Sequence, residues 1–379
     1  MELALRVLVA LMLMIPTITF TPITIEHKKI GVYDSSGDMI VFLSNEESSR
    51  KDVFIKDINT GLETRITNDG LKKFAPVVMN GNFIAWRQKR AKFNELVLCN
   101  LENSTKTVLP LSYARPDYFP IQPILTDKWL VWFERGHHNY LCACDLQTGK
   151  ITQILKRSNL VVIQTVLVGD KVFYTIQNDY CSGDDHDGNK LYCYNLLTKE
   201  ETVCNKTGSV SYLTGQGDWL AWFEYKDYGV IIELNVYQIS KDRHYLVENP
   251  EYKLESMVMG DGYVVYSTYK DNLPGPLYKL NLNDELEPEI LLSENSFRTN
   301  LKESNDLIFW EDSQFGYYNV DNRKLCGIHT ISGIQIQMPE SNKTQFLIIN
   351  KNNVLVWLEI DKETGDSKEK VCKITIDKK

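Results

Sequence analysis

Past Phe20, no apolar run in this sequence is long enough to cross a bilayer as a helix, which takes about 20 consecutive apolar residues. Basic charge is also scarce: 42 Lys and Arg stand against 50 Asp and Glu, for a net charge of −8 and a pI near 5.4. A phosphate-binding surface needs a basic excess, so nucleic acid is excluded as a partner. Helical periodicity is missing throughout, which argues against an α or α/β chain. Signature motifs are missing too. There is no P-loop, dinucleotide fingerprint or HExxH. The sialidase Asp-box and the YWTD repeat of receptor propellers are likewise absent. No G-x-S-x-G nucleophile elbow occurs, which removes the prolyl-oligopeptidase type of catalysis as an expectation. Histidine is sparse, at positions 27, 137, 138, 186, 244 and 329. Only His137 and His138 are adjacent, and an exposed turn accounts for them better than a metal site.

What is present is a globular composition, 43% hydrophobic and rich in Tyr (20), Phe (14) and Trp (7). That rules out a disordered or collagen-like chain. Met1 to Phe20 is set apart: Arg6 precedes an apolar core from Val7 to Ile15. Its length suits a signal peptide or short amino-terminal anchor over residues 1–20, and the rest, 21–379, reads as one domain outside the cytoplasm.

Self-similarity sets the fold. Eight short segments share one form: Ile40-Val41-Phe42, Ile84-Ala85-Trp86, Leu130-Val131-Trp132, Val172-Phe173-Tyr174, Leu220-Ala221-Trp222, Val264-Val265-Tyr266, Ile308-Phe309-Trp310 and Leu355-Val356-Trp357. Each ends in an aromatic, and successive aromatics are 45 residues apart on average. A polar turn precedes each segment, as in Asn80-Gly81, Gly169-Asp170 or Asn352-Asn353; Gly, Asn and Asp tolerate the positive φ of a tight hairpin. A second apolar strand lies before that turn, a third follows a polar loop, and a more polar fourth closes the unit. Four antiparallel strands per 45 residues make one blade of an all-β propeller, here with eight blades and seven as the alternative. The aromatics are then packing between blades.

The last unit lacks its outer strand. The alternating segment Ile23-Thr24-Ile25-Glu26-His27 is expected to supply it, pairing with Val371–Ile376 and closing the ring.

Segments such as Thr67–Trp86 and Asp145–Ile154 carry a Thr-Gly turn, a polar outer strand, an inner strand and an apolar strand ending in Trp. In this the chain resembles the TolB-like propeller repeats across residues 30–379. The resemblance implies an extracytoplasmic propeller, and as one option a subunit that docks on an envelope complex.

Three features bear on a site. The loop Asn178–Lys190 offers Asp184, Asp185, Asp187 and Asn189 as hard oxygen ligands, with Gly188 for a sharp turn, so calcium is one reading and a solvated acidic loop the other. No other cofactor is expected. Acids follow the aromatic at Glu134, Glu224, Glu311 and Glu359; strand-end solvation or pairing with Lys and Arg explains them better than acid–base chemistry. Among eight cysteines, Cys193 and Cys204 face each other across a turn centred on Thr198–Lys199 and form the best disulfide candidate. Cys99 and Cys144 instead match Lys56 and Tyr194 in the repeat, a packing position. Sequons at Asn103, Asn205 and Asn342 are no more than chance provides. The functional expectation is a noncatalytic, monomeric binding scaffold that meets a protein or glycan partner at the cell envelope through its loops. It would touch membrane only through its amino terminus. A polysaccharide lyase or glycosidase with its site at the channel mouth is the alternative.

Overall fold

The computed structural model describes residues 17–26, 29–44, 51–90, 93–111, 123–134, 138–157, 160–178, 189–205, 208–226, 231–247, 252–283, 286–293, 296–313, 323–338 and 343–377. Every regular element among them is a strand, and the strands form eight four-stranded antiparallel sheets. β1 (Thr17–Pro22) stands first and apart. Blade 1 holds β2 (Lys29–Ser36), β3 (Met39–Ser44), β4 (Asp52–Asp57) and β5 (Glu63–Arg65). Blade 2 holds β6 (Lys72–Asn80), β7 (Phe83–Arg90), β8 (Phe93–Asn100) and β9 (Thr105–Pro110). Blade 3 holds β10 (Ile124–Leu125), β11 (Trp129–Glu134), β12 (Asn139–Asp145) and β13 (Ile151–Arg157). Blade 4 holds β14 (Leu160–Val168), β15 (Lys171–Asn178), β16 (Lys190–Asn195) and β17 (Glu201–Val203). Blade 5 holds β18 (Ser209–Gln216), β19 (Trp219–Lys226), β20 (Ile231–Gln238) and β21 (Arg243–Val247). Blade 6 holds β22 (Lys253–Gly260), β23 (Tyr263–Lys270), β24 (Leu273–Asn281) and β25 (Pro288–Leu292). Blade 7 holds β26 (Phe297–Ser304), β27 (Leu307–Ser313), β28 (Lys324–His329) and β29 (Gln335–Gln337). Blade 8 holds β30 (Thr344–Lys351), β31 (Val354–Ile360) and β32 (Ser367–Asp377), completed by β1.

The repeated segments are the second strands, and their alternation builds the ring. Side chains on a strand point to opposite faces in turn, so the first and third residues of a segment face one neighbour and the middle residue the other. Leu220 and Trp222 pack into the core shared with blade 4, while Ala221 packs into the core shared with blade 6. Ile40 and Phe42 join Val354 and Val356 across the blade 8–blade 1 junction, and Val41 faces blade 2. Eight such clusters link each blade to the next, and the eight recurring aromatics are buried, from 0% exposed at Tyr174 to 8% at Trp357. At roughly 2 kcal/mol per large apolar side chain buried, these interfaces hold the ring together. Ladder register confirms the cysteine equivalence: Lys56, Cys99, Cys144 and Tyr194 sit opposite Ile40, Ile84, Leu130 and Val172.

Closure differs from expectation in one respect. The strand that pairs with β32 is β1, with Thr17 opposite Asp377 and Pro22 opposite Cys372, not Ile23–His27. Ile18 and Phe20 face the core between blades 7 and 8, and Phe20 meets the Phe309 ring edge-on at 6.3 Å. Ile23 adds one more backbone bond, to the Val371 carbonyl at 2.9 Å, and then the chain leaves the sheet edge. It has to, because the chain must cross from the outermost strand of blade 8 to the innermost strand of blade 1, about 14 Å at the spacing of strands. Ile23 and Ile25 still pack against the blade 8–blade 1 core, and His27 lies outside the described residues. Residues 1–16 of the expected leader lie outside them as well, while its last four, Thr17–Phe20, belong to the closing strand.

Candidate functional site

The two rims of the ring differ. On one, the first and second strands of every blade are joined by two or three residues, such as Gly37 and Asn305–Asp306, where the positive φ of 56°, 53° and 64° suits Gly, Asn and Asp. Third and fourth strands join there through compact turns. The Asp57 carboxylate accepts from the Asn59 and Thr60 amides, Asp145 from Gln147 and Thr148, and Asn195 from Leu197 and Thr198. These amide bonds hold the Asp57 carboxyl below its ordinary pKa. The other rim carries the longer connections: seven residues after Ser44, thirteen after Pro110, eleven after Asn178 and ten after Ser313.

The channel side of the ring is built from the eight first strands, and several of their polar side chains are engaged in structure. Seven carry a bulge at an equivalent place, for example between Val32 and Asp34, Val162 and Gln164, and Leu254 and Ser256. A side chain there reaches the next blade. Asp34 accepts from the Met79 amide at 2.8 Å, Gln164 from Leu213 at 3.0 Å and Ser256 from Leu301 at 3.5 Å, while Asn300 donates to the Leu347 carbonyl at 2.9 Å. Asp34 also receives the Lys351 ammonium at 2.7 Å, so it joins blades 8, 1 and 2.

Of the recurring acids Glu134, Glu224 and Glu311 are buried and Glu359 is partly buried, rather than solvated as strand ends. Glu134, two residues after Trp132, accepts its indole N–H at 2.8 Å, and Glu359 does the same for Trp357 at 3.1 Å. Gln88 and Asp312 occupy that position for Trp86 and Trp310, at 3.1 and 3.3 Å. Glu224 is 5% exposed. Glu311, one residue after its Trp rather than two, faces the other way; it accepts from Arg323, Asn300 and the Leu347 amide across the blade 7–blade 8 junction. The expected pairing with Lys and Arg holds for Glu311 with Arg323 at 2.5 Å and for Glu359 with Lys370 at 3.9 Å.

An open groove of about 670 Å³ lies on the tight-turn rim between blades 5 and 6, lined among others by Trp219, Lys241, His244, Tyr245 and Asn283. His244 stacks on Trp222 at 5.3 Å, and burial followed by the Lys226 charge holds its imidazole below the ordinary pKa, hence neutral at pH 7. The groove offers flat aromatic walls and a few donors. Trp219 occupies the place that Trp129 holds in blade 3, three residues before the repeated aromatic. There the Trp129 indole donates to Asp170 of the next blade at 2.8 Å. The second tryptophan of each pair, three residues upstream, was the available sequence signal for this rim.

Of the sequence-derived site residues, Asp184, Asp185 and Asp187 lie outside the described residues. Asn189 is described, and it is held to blade 5: its amide nitrogen donates to the Val210 carbonyl at 3.4 Å, and its backbone N–H to the Ser209 hydroxyl at 3.1 Å. His138 is exposed, edge-on to Tyr140, and His137 lies outside the described residues. The sequon residue Asn205 is 5% exposed with its carbonyl oxygen held by the Leu191 amide, while Asn103 is exposed. Cys193 and Cys204 are brought together as free thiols in hydrogen-bond contact. They are diagonal neighbours, since Cys193 sits opposite Thr202.

No family model matches the chain, and no curated protein matches it. Solved structures do. A prolyl endopeptidase aligns with TM-score 0.53 and 13% identity over 93% of this chain, which spans 55% of that one. The propeller domain of the Trilobed protease from Pyrococcus furiosus, described as an open velcro topology, aligns with TM-score 0.52 and 10% identity, covering 83% of this chain and 97% of that one. An oligogalacturonate lyase in complex with manganese aligns with TM-score 0.54 and 13% identity over 90% and 98% of the two chains. At these identities the likeness establishes the β-propeller architecture. The Trilobed domain is described as open, whereas β1 clasps blade 8 here.

Proposed function

We propose that the chain is a noncatalytic, extracytoplasmic propeller of the TolB-like kind that binds a protein or glycan partner through the long-connection rim. The observation that carries this reading is the difference between the rims: one is limited to short turns, while the other gathers connections of up to thirteen residues over the same rigid ring. Binding surfaces are commonly displayed this way, as variable loops on a fixed scaffold. The engagement of inner-strand polar groups in blade-to-blade bonds, and of Glu134 and Glu359 in indole capping, supports it, because those groups already have structural work. The monomeric state and the calcium loop at Asp184, Asp185, Asp187 and Asn189 remain proposals on sequence grounds.

The test compares the native chain with a variant in which residues 111–123 are replaced by a short Gly-Ser linker, and a second in which the 217–218 turn is altered. Each is probed on an array of envelope glycans and purified envelope proteins. Binding lost in the first variant and kept in the second supports the reading. Turnover of an acidic or neutral polysaccharide by the native chain would replace it with the enzyme alternative.

A further inference from the structure

Cys193 lies on β16 and Cys204 one residue past β17. Register places Tyr192 opposite Val203, and the ladder runs on through a 2.8 Å bond from the Cys204 amide to the Leu191 carbonyl. Thr202 and Cys204 are two residues apart on one extended strand, so both side chains leave the same face as Cys193. Diagonal neighbours on one face of an antiparallel pair are within reach of side-chain contact, and here the two thiols share a hydrogen bond. The face is the blade 4–blade 5 core: Cys193 is 9% exposed beside Val210 and Trp222, and Cys204 at its margin is partly exposed.

We propose that Cys193 and Cys204 are a disulfide-forming pair that fastens the outer edge of blade 4. The edge needs fastening: β17 has three residues, all exposed, and it is joined to the blade by three residue pairs. In the reaction the Cys193 thiolate attacks one sulfur of a small disulfide oxidant such as oxidised glutathione. A mixed disulfide forms and one glutathione thiolate leaves. The Cys204 thiolate then attacks the Cys193 sulfur, and the second glutathione leaves. The pair loses two electrons and two protons, and the oxidant is reduced to two thiols.

Selectivity follows from the surroundings. The hydrogen bond from Cys204, then the Lys171 charge, lowers the Cys193 pKa against the opposing effect of burial. Burial pushes the thiols of Cys142, Cys326 and Cys372 up to about 12, and raises Cys99 and Cys144 as well. The hydrogen bond with Cys193, then burial, raises Cys204. Thiolate is the reacting form, so Cys193 should attack first and Cys204, held in contact with its sulfur, should resolve the mixed disulfide, while those five remain thiols.

The experiment equilibrates the folded full chain with oxidised glutathione at pH 8, caps free thiols and maps linked peptides by mass spectrometry. A Cys193–Cys204 crosslink lighter by two hydrogens is expected. Cys193→Ser and Cys204→Ser should each abolish it while the strand content by circular dichroism is kept. The closed loop is short, and its oxidation should raise the melting temperature by roughly 3 °C. Both thiols remaining free at equilibrium, or either joining Cys181 instead, would overturn the proposal.

Discussion

Replacing Asp34 with Ala should break three contacts at once, two of them to neighbouring blades. The carboxylate accepts from the Met79 amide at 2.8 Å, the Ser35 amide at 2.9 Å and the Lys351 ammonium at 2.7 Å. Met79 is 1% exposed, so its amide would be left buried without an acceptor, at a cost of ~1–3 kcal/mol. The Lys351 side chain is 41% exposed, and solvent screening limits that ion pair to ~0–1 kcal/mol. The expected loss is about 2–4 kcal/mol. With an unfolding entropy of ~2.1 cal/mol/K per residue over roughly 350 residues, this is a fall in melting temperature of about 3–5 °C. Asp34→Asn keeps an acceptor for the Met79 amide and should lose about 1 kcal/mol or less. Asp38→Ala is the control: Asp38 pairs with Lys373 at 3.2 Å in the open, and its loss should be near zero. Calorimetry and urea titration measure all three. An Asp34→Ala protein within 0.5 kcal/mol of wild type would refute the argument. So would an Asp34→Asn protein as weak as the Ala variant, since charge and not the amide bond would then dominate.

Ile18→Asp with Phe20→Asp places two carboxylates against the blade 7–blade 8 core and should lower the melting temperature by about 5 °C, whereas an unchanged melt would show that β1 does not hold the ring. Asp170 gives a pH-dependent prediction. The hydrogen bond from Lys128, and next to it that from Trp129, holds its carboxyl below the ordinary value. Its contribution is therefore complete above about pH 4 and is lost as pH falls through the lowered value. Asp170→Asn should melt slightly lower than wild type at pH 7 and together with it near pH 2; a difference that persists at pH 2 would contradict the assignment.

The eight blades were legible because the repeated strands need an aromatic, a middle apolar residue and a turn former at fixed spacing, whatever else varies. The closing strand was displaced by six residues for a physical reason. Thr17-Ile18-Thr19-Phe20 alternates like a strand, but it runs on from the apolar stretch Val7–Ile15, and hydropathy alone joins the two. The acids Glu134 and Glu359 were visible as a repeat, yet their partner lies two residues back on the same strand, a contact that depends on indole orientation. Glu311 shows the limit of such counting: a shift of one residue sends its carboxylate to the opposite face. The inner-strand latches were not legible, because Asp34, Gln164, Ser256 and Asn300 share a place in the ring but no residue type.

The pairing of Thr17 with Asp377 joins the first of the described strands to the last. Closing a chain of about 350 residues costs roughly 4 kcal/mol more in entropy than closing a four-residue hairpin. Each blade before it can form from local hairpins as it is made, but blade 8 must wait for both ends. Until then its outer edge is an unpaired ladder, open to a second copy of the chain as readily as to its own beginning. The folding chain is thus most exposed to chain exchange before β1 and β32 meet, and its yield should fall with concentration during refolding more steeply than its finished stability would suggest.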